Sequence, residues 1–350
     1  MSDERSGTRR LPLAVLFGCA GERLSGEERK FFAAADPLGF VLFRRNCRAP
    51  DQVRALVGEL RASVGRDDAP VLIDQEGGRV ARLQPPQWRR YPAAGTLAAL
   101  PDPVAVEAVR LGARLIADDL AALGVTIDCL PVLDVPVAGA DGVIGDRAYG
   151  GDPARIALLG RAACEGLLAG GVLPVIKHIP GHGRARVDSH HALPVVDDSE
   201  AVLSGSDFAP FRALADMPWA MTAHVVYSAI DRERPATLSP TVIGRVIRGA
   251  IGFAGVLVSD DLGMGALAGT IGERVARALD AGCDLAMHCN GTLEEMAQAA
   301  AAARPVSAEA AARLARGEAL RRKSRQELDR GAAETRFDSL VGALQEGGAR

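Results

Sequence analysis

The sequence predicts an α/β fold, a single (β/α)8 barrel of the TIM type. Three observations carry this expectation. Apolar runs of strand length recur eight times along the chain, helix-compatible segments separate most of them, and polar or charged residues collect just after run after run. Strands alternating with helices imply parallel pairing, because each strand must return past a crossover. Runs that are apolar throughout suit strands covered on both faces. Chemistry gathered at the C-terminal ends of parallel strands is the barrel arrangement. A doubly wound sheet would carry a glycine-rich GxGxxG loop after an early strand, and none is present.

Taken in order, the expected strands are Leu13–Gly18, Gly39–Phe43, Pro70–Ile73, Val125–Leu130, Val172–Ile176, Trp219–Tyr227, Gly255–Val258 and Cys283–His288. Helices are expected over Asp51–Val64, Pro103–Leu123, Pro153–Ala169, Ser239–Ala250 and Gly272–Ala281. Arg44, Arg45 and Asn46 follow the second run, Asp74, Gln75 and Glu76 the third, and Lys177 and His178 the fifth. His224 lies late in the sixth, Ser259, Asp260 and Asp261 follow the seventh, and Cys289 and Asn290 follow the eighth. Two stretches stand outside the alternation. Asp188–Pro210 belongs to a long excursion after the fifth strand, and Ala299–Arg350 reads as one or two terminal helices whose charges form a solvated face, with GALQEGGAR frayed. The whole, 1–350, is expected to be one domain with its core over about 11–300 and a helical segment over about 301–350.

Composition narrows the function. The 350 residues are 48% hydrophobic and 24% charged, ordinary for a globular protein that buries a sizeable core. A net charge of -3 and 4% aromatics give no sign of a nucleic-acid or anionic-membrane partner. The six cysteines contain no C-x-x-C pair and sit mostly in apolar runs, as small core residues of a reducing compartment. Arg9-Arg10, the run LPLAVLFG and Cys19 have the order of an export signal. However, the run is short, Asp3 and Glu4 spoil the basic region, and the run serves better as a first barrel strand. No segment approaches the ~20 apolar residues of a membrane span.

The chemistry concentrates in Lys177–His191, KHIPGHGRARVDSHH, which holds four of the six histidines. Pro180, Gly181 and Gly183 argue against a helix, and the polar side chains past Ile179 argue against a buried strand, leaving a loop at the end of a strand. Asp188 and His190 stand two apart, a spacing at which a carboxylate orients an imidazole and stabilises its protonated form; the alternative is an exposed loop histidine. Asp260 and Asp261 end a strand, where a carboxylate serves as a nucleophile or metal ligand, while one of the pair caps the next helix. In DQEGGRVARL an acid and two arginines round a tight turn suit binding of polyhydroxyl or carboxylate groups, against a structural pair of Glu76 with Arg79 or Arg82. Arg147, beside Asp146 in IGDRAYG, has the same two readings. His178 and His182 are four apart, but Pro180 and Gly181 rule out a zinc helix between them. A metal assembled from His178, His182, His190, His191 and His224 with Asp260 stays open as an alternative.

These motifs together resemble glycoside hydrolase family 3, and within it the single-domain bacterial β-N-acetylglucosaminidases. The likeness runs from GFVLFRRN through DQEGGRVARL, PVLDV, IGDRAYG, KHIPGHG with DSHHALP, MTAHVVY, PATLSP and GVLVSDDLGMGAL to AGCDLAMHCN, over about residues 13–290. The resemblance implies that Asp260 is the nucleophile forming a covalent glycosyl-enzyme. It makes His190 the general acid/base with Asp188 as its partner, on a long catalytic loop after the fifth strand. It assigns Asp74, Arg82, Arg147, Lys177 and His178 to the hydroxyl and acetamido groups of the terminal sugar, and gives Asp261 no catalytic role. It implies no metal or other cofactor, and a small-molecule substrate, an N-acetylglucosaminide or muropeptide of peptidoglycan turnover. Activity in the cytoplasm is expected from the same likeness; a monomer is expected, though the sequence does not fix the oligomeric state. Ile179 stands where the family often has an aromatic residue, and His191 leaves a one-residue ambiguity that the DSH register settles for His190. Three rivals stay open: a metal-dependent hydrolase, a non-catalytic sugar-binding barrel, and a phosphorylase in which phosphate accepts the sugar.

Overall fold

A computed structural model describes residues 11–347. The eight runs form strands β1 (Leu13–Phe17), β2 (Pro37–Leu42), β3 (Val71–Ile73), β4 (Ile127–Asp128), β5 (Leu173–Ile179), β6 (Trp219–Thr222), β7 (Val256–Asp261) and β8 (Leu285–His288). They close into a parallel barrel in the order β1-β8-β7-β6-β5-β4-β3-β2. Closure is made where Val15 faces Ala286 and Phe17 faces His288, with Leu16 opposite Gly39 on the other side of β1. Every residue of β1, β2 and β5 is buried, as strands need when side chains fill the barrel on one face and helices cover the other.

The covering helices are α1 (Gly26–Ala35), α2 (Pro50–Ser63), α3 (Asp102–Ala122), α4 (Pro153–Ala169), α5 (Phe208–Ala213), α6 (Val242–Ala250, wound as a π-helix), α7 (Ile271–Ala281) and α8 (Leu293–Ala302). Their starts are written in the sequence. Ser25 with Glu28, Thr270 with Glu273 and Thr292 with Glu295 form capping boxes. Pro50 and Pro153 occupy first turns, where a missing N–H costs nothing. Helices α3 and α4 touch at backbone distance because residue 166 is glycine: a Cβ there would fall 2.2 Å from the Arg110 carbonyl oxygen.

Several boundaries differ from expectation; β7, for one, runs on through Ser259 and Asp260 to Asp261. The sixth strand stops at Thr222, and Val226–Tyr227 pairs instead with Val195–Val196 of the excursion after β5. The fifth runs on to Ile179, through residues expected to be loop. The terminal segment forms α9 (Ala308–Ser324) and α10 (Arg330–Gly347), so helix persists where fraying was expected from Gly342; residues 348–350, like Arg9 and Arg10, lie outside the described residues. Helix α9 lies across the N-terminal end of the barrel, where Arg321 donates to the Gly171 carbonyl at 3.0 Å. Helix α10 docks on α3 through Phe337, which is fully buried. Among the described residues no helix is long and apolar enough to cross a membrane. All six cysteines are free, five of them buried.

Candidate active site

Strand β5 keeps its pairing with β6 as far as Ile179, so Lys177 and His178 are strand residues. A lysine is tolerated there because β3 and its following turn supply two counter-charges. The Lys177 ammonium donates to Asp74 Oδ1 at 2.9 Å and lies 2.7 Å from Glu76 Oε1. Arg82 donates to the other oxygen of Asp74 at 2.8 Å, and Arg147 grips Glu76 with two hydrogen bonds of 2.9 and 2.8 Å. Burial alone would push both carboxyls up. The charges of Lys177 with Arg82, and of Lys177 with Arg147, outweigh it and hold Asp74 and Glu76 below the usual range. The same balance raises Lys177 against the downward pull of burial. The alternative pairing of Glu76 with Arg79 or Arg82 is not what forms: Arg79 turns outward to Asp146 at 3.0 Å, while Arg82 lies over the Phe43 ring.

Asp134, in the PVLDV segment after β4, was given no role in the sequence reading. It is fully buried and organises both histidines of KHIPGH. Its Oδ2 is 2.7 Å from His178 Nδ1, and its Oδ1 accepts the His182 backbone N–H at 2.6 Å and that of His178 at 3.2 Å. Burial would raise this carboxyl, but His178 and these bonds keep it below its ordinary value. An acid inside an apolar stretch needs such partners, and that was the available signal.

Asp260, at the end of β7, has its Oδ1 on the Asp261 backbone N–H at 2.8 Å. Burial would raise its pKa; the neighbouring His224 and His178, that N–H and Lys177 lower it, so the carboxyl is ionised at neutral pH. Asp261 points elsewhere. It accepts from Gly263 N at 2.9 Å and Cys289 N at 3.0 Å, tying the end of β7 to that of β8. Neither aspartate caps the next helix, since Thr270 does so. His224 is fully buried, with Nδ1 2.7 Å from the Thr237 hydroxyl and Nε2–H donating to the Asp261 carbonyl at 3.1 Å. Burial pushes this ring toward the neutral form.

The loop after β5 carries Asp188 and His190. Asp188 Oδ1 accepts the His190 backbone N–H at 2.9 Å and lies 2.7 Å from His190 Nδ1. A proton held on Nδ1 by a carboxylate leaves Nε2 to exchange one with a ligand. Partial burial would raise Asp188, but the bonds from His190 hold it down. The His190 side chain is 60% exposed, open to whatever enters.

Asp74, Arg82, Arg147, Lys177, His178, Asp188, His190 and Asp260 all line one cavity of about 300 Å³ at the C-terminal ends of the strands. His182, Ser189, Asp261, Cys129, Met221 and Asn290 are also among the residues that line it; His191 is not in its wall. A larger cavity of about 540 Å³ lies at the opposite end, between the strand starts and α9, and is lined by arginines engaged with carbonyls and Glu318, with no imidazole in its wall. In the histidine set named for a metal, His178 rests on Asp134, His182 on Ser189, His190 on Asp188, and both nitrogens of His224 are occupied. What the cavity offers is an ionised carboxylate, a carboxylate-backed imidazole and a ring of charges able to grip hydroxyl groups.

The family model described as "Glycosyl hydrolase family 3 N terminal domain" matches residues 17–316. A β-hexosaminidase of Alkalilimnicola ehrlichii is 42% identical over 283 residues, covering 79% of this chain and 80% of its own. That of Pseudomonas aeruginosa PAO1 is 37% identical, with 79% and 82% covered. Among solved structures, NagZ from Neisseria gonorrhoeae in complex with N-trifluoroacetyl-D-glucosamine superposes with a TM-score of 0.84 at 32% identity, over 95% of this chain and 99% of that one.

Proposed function

The chain belongs to glycosyl hydrolase family 3 and is a β-N-acetylhexosaminidase; from that premise we propose that it releases terminal non-reducing N-acetylglucosamine with retention, through a covalent intermediate on Asp260. One observation carries this reading: a strand-held ionised carboxylate and a loop-held imidazole line the same small cavity. Asp260 attacks the anomeric carbon while His190 Nε2 protonates the departing oxygen. His190 then takes a proton from water as the water oxygen attacks the anomeric carbon, which breaks the bond to Asp260, releases the sugar and restores the carboxylate. A histidine in place of the usual second carboxylic acid suits this double duty, because its ordinary pKa of ~6.5 lies near neutrality. Asp188 holds the ring in the useful tautomer. Asp74, Arg82, Arg147, Lys177 and His178 hold the sugar's hydroxyl and acetamido groups. The physiological substrate in this reading is a peptidoglycan turnover fragment, N-acetylglucosaminyl-1,6-anhydro-N-acetylmuramic acid or its peptides, met in the cytoplasm.

The test pairs two measurements. A fluorinated N-acetylglucosamine analogue should label Asp260, as read by peptide mass spectrometry. His190→Ala should slow glycosides with poor leaving groups by about 10²–10⁴-fold and spare bond cleavage in activated ones, which need little protonation. Label on another residue, or equal losses on both substrate types, would remove the assignment. A sugar 1-phosphate product in phosphate buffer would replace hydrolysis by phosphorolysis.

A further inference from the structure

Between Arg186 and Leu193 the loop bearing Asp188 and His190 is exposed or half-exposed at every residue except Ser189, which is 3% exposed. A small polar side chain buried alone in an exposed loop acts as a peg, and its hole is specific. The Ser189 hydroxyl lies 3.0 Å from His182 Nε2, itself buried and anchored through its backbone N–H to Asp134. On the other side the loop rests on the turn that follows β7: Ala266 N–H donates to the Ser189 carbonyl and Gly265 N–H to the His190 carbonyl, both at 3.2 Å. The approach at Gly265 is close. A Cβ there would stand 2.8 Å from the His190 carbonyl oxygen and 3.2 Å from that of His191. Gly265 is not among the residues of positive φ, so its backbone accepts alanine and only the space beside the loop demands glycine.

We propose that His182, Ser189 and Gly265 form a seat that fixes the acid/base loop over the nucleophile, with the turn after Asp260 serving as one wall of that seat. The proposal rests on the reading of Asp260 as nucleophile and His190 as acid/base. The turn that continues from Asp260 is thus the surface on which the His190 backbone rests, so the two reacting groups share one frame. His182 is suited to the task because burial keeps its ring neutral, down to about 4, so the bond to Ser189 is the same throughout the neutral range. The three are positioning residues: His182 and Ser189 stand in the cavity wall and Gly265 outside it, and each acts on where His190 stands.

Two substitutions probe the seat independently. Gly265→Ala fills the space beside the His190 carbonyl, and Ser189→Ala removes the peg's hydroxyl. Each should lower kcat/KM for glycosides with poor leaving groups by about tenfold or more, the scale of one lost hydrogen bond or a sub-ångström misplacement. The rate at which an activated fluorinated N-acetylglucosamine analogue labels Asp260 should stay within about threefold of the parent, because that step needs no acid. Circular dichroism melting of each variant separates a seat effect from unfolding, and unchanged labelling at Asp260 shows that the rest of the site is intact. Parental rates on poor leaving groups in both variants would overturn the seat. Equal losses on poor leaving groups and in labelling would also overturn it, since the residues would then be acting on the whole site. Failure of the parent itself to label at Asp260 would instead remove the mechanism beneath it, so the two failures are distinguishable.

Discussion

Replacing Lys177 by methionine tests the charged floor of the cavity most directly, because it keeps an unbranched apolar stem as far as Cε and removes the ammonium beyond it. The ammonium stands 2.9 Å from Asp74 and 2.7 Å from Glu76, and is itself almost wholly buried. At an effective dielectric of about 20, each such contact amounts to about 6 kcal/mol of attraction. Desolvating a buried ammonium costs several kcal/mol, which offsets much of this. After substitution Arg82 still holds Asp74 and Arg147 still holds Glu76, but the two carboxylates face each other with nothing between them. Removing one partner of a buried ion pair costs about 3–5 kcal/mol, and that is the expected loss in equilibrium urea unfolding. The loss in kcat/KM for an aryl N-acetylglucosaminide should reach about 10²-fold, because Asp74, proposed to bind the sugar, and Arg147, held in place by Glu76, lose their fixed geometry. A stability change below about 1 kcal/mol with kcat/KM intact would refute the claim that Lys177 organises Asp74 and Glu76.

Two further expectations concern stability. Burial holds His182 down to about 4, so between the ordinary ~6.5 and that value the unfolded chain binds a proton that the folded one refuses. Stability from this residue is therefore intact above pH ~6.5 and falls as pH drops, by on the order of 3 kcal/mol at completion. Urea unfolding of His182→Asn at pH 7, 6 and 5 should show a shallower pH slope than the parent; equal slopes would contradict the assignment. Phe337→Ala should cost about 3–5 kcal/mol by opening a cavity between α10 and α3, where the ring packs on Tyr91 and fills the space over Gly112. A loss under 1 kcal/mol in the same assay would mean that α10 is not docked there.

The barrel was legible because its elements follow from local pattern. Pro153–Ala169 was expected as a helix and is one, and all eight runs became barrel strands. The errors share a cause. Lys177 and His178 were read as loop because polar residues with downstream proline and glycine argue against a buried strand, yet their partners sit on β3 and its turn and beside β4, far away in sequence. Trp219–Tyr227 was read as one strand because its apolar run is continuous, but Val226–Tyr227 finds its pairing with Val195–Val196.

The sequence by itself determined which residue types stand at strand ends, and so the barrel class, the collection of acids, lysine and histidines near one mouth, and the two-residue spacing that lets Asp188 reach His190. Only the tertiary structure decided which acid meets which base: Glu76 with Arg147, Lys177 between two carboxylates, Asp134 beneath His178, Ser189 against His182. Local propensity and apolar periodicity act within a few residues of chain and can be read there. Buried charges and hydrogen bonds are satisfied by whatever the barrel's closure brings within about 3 Å, and that proximity joins residues tens of positions apart.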